Sequence, residues 1–264
     1  MRFVYFSKLL KDLDIPELIQ FCEEVGLDGV DLAVRPGYPV NPENAAKALP
    51  AAAAAFKAKK KIIGLVTAPA DMNDPASPEA RALFEACSQA GVPAIKIGYF
   101  PYKGHFDIEL CEARARIASF SRLAEQTRVK ACYHTHSGGY LGNNAASLRL
   151  LLGDANPHYI GVFLDTGHLA LGGGPIRMEV EMVRQWFSLL AIKDIAWERK
   201  DDKWAFRVVP AGQGIVRWDD VAAAIKASGF RGTLSLHGEY ETDSLEERIR
   251  LAKMELDFLK QKLA

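Results

Sequence analysis

Four of the six histidines, His134, His136, His168 and His237, fall beside two carboxylates, Asp165 and Glu239, in short segments of the chain's second half. In Tyr133-His134-Thr135-His136 and in Leu236-His237-Gly238-Glu239 the ionisable residues stand two apart, the spacing that puts side chains on one face of a strand. Imidazole and carboxylate together suit a divalent transition metal such as Mn²⁺, Co²⁺ or Zn²⁺ better than Ca²⁺. Asp165-Thr166-Gly167-His168 can contribute two of these groups, or be a turn capped by its aspartate. His136 and His168 each suit a structural hydrogen bond or a substrate contact. Three cations complete the set. Lys96 and Lys193 sit at strand-like positions. Arg35, in Arg35-Pro36-Gly37-Tyr38, is placed either to clamp a carboxylate or phosphate or to make a structural salt bridge.

These residues need elements that bring them together. Short β-branched runs alternate with longer amphipathic stretches along the 264 residues. Strands are predicted at 3–6, 29–34, 61–66, 94–99, 129–134, 160–164, 189–195 and 233–236. Helices are predicted at 16–25, with Asp14 as N-cap, then 42–59, 78–90, 108–126, 145–152, 178–187, 218–228 and 245–262. Gly91 is placed to cap the third helix. Eight strand–helix units imply a parallel sheet with right-handed crossovers, and at this length a single-domain (β/α)₈ TIM barrel over residues 1–264 rather than a doubly wound open sheet. Alternation along the strands then sends Asp31, Ala33, Arg35, Lys96, Cys132, His134, His136, Phe163, Asp165, Ala191, Lys193, Thr233, Ser235, His237 and Glu239 inward. Polar groups inside a barrel are costly unless paired or ligating, and most of these lie at the C-terminal strand ends, where barrel active sites are built.

Composition narrows the function classes. Lys plus Arg and Asp plus Glu both number 33, so nothing in the net charge suggests a phosphate-backbone partner, and nucleic acid is not expected. Cys22, Cys87, Cys111 and Cys132 are far apart, without a C-x-x-C pair, and read as reduced, mostly buried thiols of a cytoplasmic protein. The first residues enter a strand rather than an apolar leader, and no run of about 18 apolar residues suggests a membrane span. Among the loops, Gly212-Gln213-Gly214 is either a backbone phosphate cradle or an ordinary turn. Tyr140–Asn144 and Gly172–Gly174 read as mobile loops over the strand ends, and Glu198–Lys203 as a solvated loop. Trp197, Trp204 and Trp218 are assigned to the pocket or its rim without a choice between them.

Val162-Phe163-Leu164-Asp165-Thr166-Gly167-His168, Ala191-Ile192-Lys193-Asp194 and Val209-Pro210-Ala211-Gly212-Gln213-Gly214-Ile215-Val216 follow in that order. With these motifs the chain resembles the xylose isomerase-like barrel superfamily of sugar phosphate isomerases and epimerases, which also holds endonuclease IV. The resemblance implies one divalent metal, with Asp165 as the sixth-strand ligand and His168 its companion near substrate. It places His134 and His237 where the family carries glutamates on the fifth and eighth strands, with Glu239 two residues beyond His237 on the same face. Ala191 falls where the family has a histidine ligand. The implied ligand set is His134, Asp165, His237 and Glu239, and Glu239, His134, His168 and Lys193 become the candidate catalytic residues. Arg35, Lys96 and His136 become the candidate substrate contacts. The implied activity is α-proton abstraction from a small carbohydrate (a sugar, sugar acid or sugar phosphate) by a metal-dependent isomerase or epimerase, with Glu239 favoured over His134 as base. A dehydratase on the same site, a non-catalytic sugar-binding barrel and an endonuclease IV-like enzyme are the alternatives. Homo-oligomerisation is left open.

Overall fold

Each predicted strand is present, and the closure of the sheet follows from their order. The computed structural model describes residues 1–264. Its strands are β1 (Arg2–Phe6), β2 (Gly29–Ala33), β3 (Ile62–Thr67), β4 (Ala94–Lys96), β5 (Lys130–His134), β6 (Ile160–Asp165), β7 (Phe187–Ile192), β8 (Asp194–Lys200), β9 (Lys203–Val209) and β10 (Thr233–Leu236). The helices are α1 (Ile15–Val25), α2 (Ala45–Ala58), α3 (Pro78–Ala90), α4 (Phe106–Thr127), α5 (Ala145–Leu152), α6 (Thr166–Gly172), α7 (Ile176–Met182), α8 (Trp218–Ser228) and α9 (Leu245–Leu263). Parallel pairing runs from β1 through β7 in sequence order, and β10 closes the ring between β7 and β1, giving a (β/α)₈ barrel. No helix is long and apolar enough to cross a membrane.

Local chemistry sets the helix ends. Asp14 and Glu17 form a reciprocal capping box at the start of α1. Ser77 caps α3, whose end is closed by the Gly91 N–H bonded to the carbonyls of Cys87 and Ser88. The helices bury their apolar faces against the outward faces of the strands in a large core that includes Phe21, Phe56, Phe84 and Phe120.

Inside the barrel, Val4, Leu65, Ala94, Cys132, Phe163, Leu189 and Ala191 form a small apolar layer. Two residues further along each strand, on the same face, the layer turns polar: Leu65 gives way to Thr67, Ala94 to Lys96, Cys132 to His134, Phe163 to Asp165 and Ala191 to Lys193. The barrel therefore has a hydrocarbon floor and an ionisable mouth. Register shifts at Val30/Asp31 and Val162/Phe163 precede two of the buried aspartates, Asp31 and Asp165.

Four expectations are corrected. The stretch predicted as one strand over 189–195 ends at Ile192, and a separate antiparallel hairpin, β8–β9, begins at Asp194. Glu198–Lys203, expected as a solvated loop, is the exposed tip of that hairpin. The expected helix at 178–187 is shorter and earlier (α7), and the short α6 precedes it directly after β6. The fourth strand stops at Lys96 rather than Tyr99, and Tyr99 lies in the loop after it.

Candidate active site

The sixth strand supplies the centre of the mouth. Asp165 caps α6, its Oδ1 accepting the backbone N–H of His168 at 3.0 Å. The cap consumes one carboxylate oxygen and turns the other into the barrel. Oδ2 lies 3.4 Å from His134 Nε2, 3.5 Å from Lys193 Nζ, 3.9 Å from His237 Nδ1 and 4.0 Å from His168 Nε2. The cap reading of this segment thus holds for one oxygen, and the other remains available as a donor atom.

Tyr99 O–H lies 3.0 Å from His134 Nδ1, which leaves His134 Nε2 facing Asp165. His134 and His237 stack nearly parallel at 5.7 Å, with Phe163 edge-on to both and Phe6 against His237. Behind His237, Asp31 Oδ2 lies 3.6 Å from Nε2, and Asp31 is itself held by the hydroxyls of Thr67 and Ser235. Lys193 is fixed through its main chain: Thr166 Oγ1 accepts its N–H and donates to its carbonyl. Gly167 permits this approach, because a Cβ there would meet Lys193 Cγ at 3.0 Å.

Glu239 stands at the edge of the cluster. Oε2 is 2.6 Å from Lys193 Nζ and 3.7 Å from His237 Nδ1, while Oε1 pairs with Lys8. His168 Nδ1 is bonded to Ser137 Oγ at 2.9 Å, and His136 packs its ring 4.1 Å from that of His168.

Burial and pairing set the charges. Burial holds His134 well below the usual histidine range and His168 down at about 4, and it lowers His136, so all three rings are neutral at pH 7. Burial alone would raise Asp165, but Lys193 and the surrounding histidines hold it well below the usual carboxylate range. Glu239 is likewise kept ionised, against its burial, by His237, Lys193 and Lys8. Burial disfavours the charged forms of His237 and Lys193. Asp31 and Glu239 overcome this for His237, and Asp165 and Glu239 for Lys193, so both are raised.

His134, Asp165 and His237 each offer one donor atom, all within 4.8 Å of one another and all buried. His134 Nε2, Asp165 Oδ2 and His237 Nδ1 have no hydrogen-bond partner. Unpartnered buried donors that converge in this way fit a divalent ion, and a two-imidazole, one-carboxylate set suits a transition metal. Glu239 is not part of this group, since both of its oxygens are engaged by lysines. Ala191 contributes no donor and belongs to the apolar floor.

Above the cluster lies a cavity of about 390 Å³, a size suited to a small ligand. Arg35, Lys96, His134, His136, His168, Lys193, His237 and Glu239 all line it. Of the chain's carboxylates, Glu239 alone lines it. Lys8, Thr67 and Tyr99, which sequence reasoning did not single out, line it as well. Their signal was position alone: each follows or ends a strand at the C-terminal face.

The hairpin supplies the remaining wall. Ile195/Val208, Trp197/Phe206 and Arg199/Trp204 are cross-strand pairs on one face, and Phe206 and Val208 line the cavity. Trp197 and Trp204 stand further out and are exposed. Trp218 is buried elsewhere, its Nε1–H donating to Asp194. Tyr140 reaches the cavity from a loop pegged down by buried Leu141, whose carbonyl accepts from Tyr133 O–H.

The Gly212–Gly214 turn is a cradle whose anion is internal. Asp194, fully buried, accepts the N–H groups of Gly212, Gly214 and Val216, which accounts for the turn without a phosphate.

No curated protein matches the chain by sequence. Among solved structures it is similar to a D-tagatose 3-epimerase-like protein (TM-score 0.75, 18% identity, covering 100% of both chains). It is similar also to the IOLI protein with a bound zinc atom (TM-score 0.78, 18% identity, covering 99% of both chains). A third is the probable 3-DHS dehydratase AsbF from Bacillus anthracis (TM-score 0.74, 17% identity, covering 98% of this chain and 99% of that one). A family model described as xylose isomerase-like TIM barrel matches residues 19–262. The chain belongs to the xylose isomerase-like TIM barrel family.

Proposed function

We propose that the protein is a metal-dependent isomerase or epimerase of a small carbohydrate, acting by removal of a proton α to a carbonyl. The observation that carries this reading is the convergence of three unpartnered donors, His134 Nε2, Asp165 Oδ2 and His237 Nδ1, under a cavity with Glu239 as its one lining carboxylate. A divalent ion held by His134, Asp165 and His237 would supply Lewis-acid stabilisation of the developing enediolate. The similar structure described as a D-tagatose 3-epimerase-like protein, and the one with bound zinc, agree with it.

The residues divide the remaining work. Glu239 is ionised and faces the cavity, so it is the proton acceptor. Its ion pair with Lys193 weakens it as a base in the resting site. A substrate oxygen that draws the Lys193 ammonium toward itself loosens that pair and raises the proton affinity of Glu239 when the proton must move. The neutral rings of His136 and His168 offer donors and acceptors to substrate hydroxyls. Phe206 and Val208 keep water from one side of the cavity. The Lys193–Glu239 pair also favours a second reading, a dehydratase, in which the ammonium protonates a departing hydroxyl after the same abstraction.

Elemental mass spectrometry and proton exchange test this. About one divalent metal per chain, lost in Asp165→Ala, is expected, with exchange of an α-proton of a ketose or sugar acid into deuterated water that Glu239→Gln slows by at least about 10²-fold. A chain that takes up no metal after reconstitution with Mn²⁺, Co²⁺ or Zn²⁺ would overturn the reading in favour of a non-catalytic sugar-binding barrel.

A further inference from the structure

Four cations line the cavity, and only two of them have anions of their own. Lys8 and Lys193 share Glu239, and Lys193 also faces Asp165. Lys96 and Arg35 form no ion pair with any carboxylate of the chain. Lys96 is 3% exposed, with its ammonium 3.5 Å from the centre of the Tyr99 ring. Arg35 Nε is buried without a hydrogen-bond partner, and its guanidinium lies 5.7 Å from the centre of the Phe6 ring. Asp31 is engaged by the hydroxyls of Thr67 and Ser235 and lies beyond ion-pair distance of both cations.

We infer that the substrate carries an anionic group, a carboxylate or a phosphoryl group, and that Arg35 and Lys96 bind it. The inference rests on the proposed carbohydrate site and names its substrate class. A buried ammonium without a counter-ion is costly to fold, and an aromatic face offsets only part of that cost. The half-buried Arg35 guanidinium on the same wall disfavours the ammonium further. A ligand anion removes both penalties, and a guanidinium pairs with carboxylate or phosphate through two parallel hydrogen bonds.

Topology separates this wall from the metal-ligand cluster. Arg35 follows β2, Thr67 ends β3 and Lys96 ends β4, whereas His134, Asp165 and His237 stand at the ends of β5, β6 and β10. Tyr99 links the two groups, its ring beneath Lys96 and its hydroxyl on His134. The anionic group is therefore bound beside the His134–Asp165–His237 donors, and the reacting carbons lie between the two. The occupant is a polyhydroxylated acid or a sugar phosphate rather than a neutral sugar. Burial and the neighbouring Arg35 push Lys96 down to about 7, against the more distant pull of Asp31 and Glu239, so it is largely neutral at pH 8 in the free protein. An anion beside it restores the ammonium form, and binding at that pH takes up a proton.

Calorimetric titration of the metal-free full chain tests this with D-gluconate, inorganic phosphate and the neutral polyol D-glucitol. The measurements are made at pH 8 in two buffers of different ionisation enthalpy. The expected result is anion binding that weakens at least tenfold in Arg35→Gln and in Lys96→Met and recovers in part in Lys96→Arg, with glucitol insensitive to all three. Gluconate binding should take up close to one proton in the natural chain and none in Lys96→Met. Tighter binding of gluconate assigns a sugar acid, and tighter binding of phosphate assigns a sugar phosphate. Anions held no better than glucitol, or variants that bind them as the natural chain does, would overturn the inference. Metal content, measured in parallel, keeps the two readings apart. Failure of the anions in a chain that takes up its metal sinks the anion subsite alone, and anion binding in a chain that takes up none sinks the metal-dependent reaction alone.

Discussion

Replacing Asp194 by asparagine should cost this barrel a large part of its stability, although the change alters no atom of the cavity lining. Asp194 accepts five hydrogen bonds. Oδ1 takes Ile195 N–H at 2.9 Å and Val216 N–H at 3.1 Å. Oδ2 takes Gly212 N–H at 2.9 Å, Gly214 N–H at 3.0 Å and Trp218 Nε1–H at 2.9 Å. An asparagine keeps at most three of these, with its carbonyl at the Oδ2 position, and turns its NH₂ toward the N–H groups of Ile195 and Val216. Two hydrogen bonds to a charged acceptor, at about 1.5–3 kcal/mol each, sum to about 3–6 kcal/mol. Against a typical total of about 5–15 kcal/mol that is a severe loss. Urea unfolding followed by circular dichroism at pH 7 measures it, and Asp194→Ala, which removes the acceptor for all five donors, should cost more. Gly214→Ala should behave similarly, since a Cβ there collides with Asp194 Oδ1 and the Ile195 carbonyl. An asparagine variant within about 1 kcal/mol of the natural chain would refute the claim that the glycine turn is built around this carboxylate.

Other outcomes follow from the same geometry. Glu239→Gln should lower α-proton exchange by about 10²–10⁴-fold, the usual worth of a positioned base, while metal content measured by elemental mass spectrometry stays unchanged. A divalent metal at 100 times its Kd should stabilise the natural chain by about 2.7 kcal/mol, read as a raised Tm, and should leave Asp165→Ala unmoved. Burial raises Glu255 to about 7, where it accepts from Ala211 N–H and Tyr240 O–H. Its folded form binds more protons than the unfolded chain between about pH 4.5 and 7, so stability contributed by its protonation is present at low pH and lost as pH rises through 7. The loss is up to about 3 kcal/mol. Glu255→Gln should flatten this part of the profile in urea titrations at pH 5 and pH 8, and an unchanged slope would show that Glu255 does not titrate there.

Much of the architecture was legible because it depends on periodicity. Strand alternation is a local property, so the inward set from Asp31 to Glu239 could be read before any contact was known, and the Asp14 and Gly91 caps are written within a few residues of the helices they close. The hairpin escaped because Glu198–Lys203 is charged and exposed whether it forms a loop or a turn between strands. Its pairing is decided by Trp197 facing Phe206 across it, a contact between residues nine positions apart.

Residue type by itself determined which groups could do chemistry here, and the two-residue spacing within strands determined that they would share the barrel's interior. Only the tertiary structure decided their partners. It gave Glu239 to Lys8 and Lys193, left His134, Asp165 and His237 facing one another with free donor atoms, filled the glycine cradle with Asp194, and left Arg35 and Lys96 without a carboxylate. Pairing of charges is a matter of a few ångströms between atoms from different strands, and one oxygen of Asp165 had first to be spent on capping α6 before the other was free for the site.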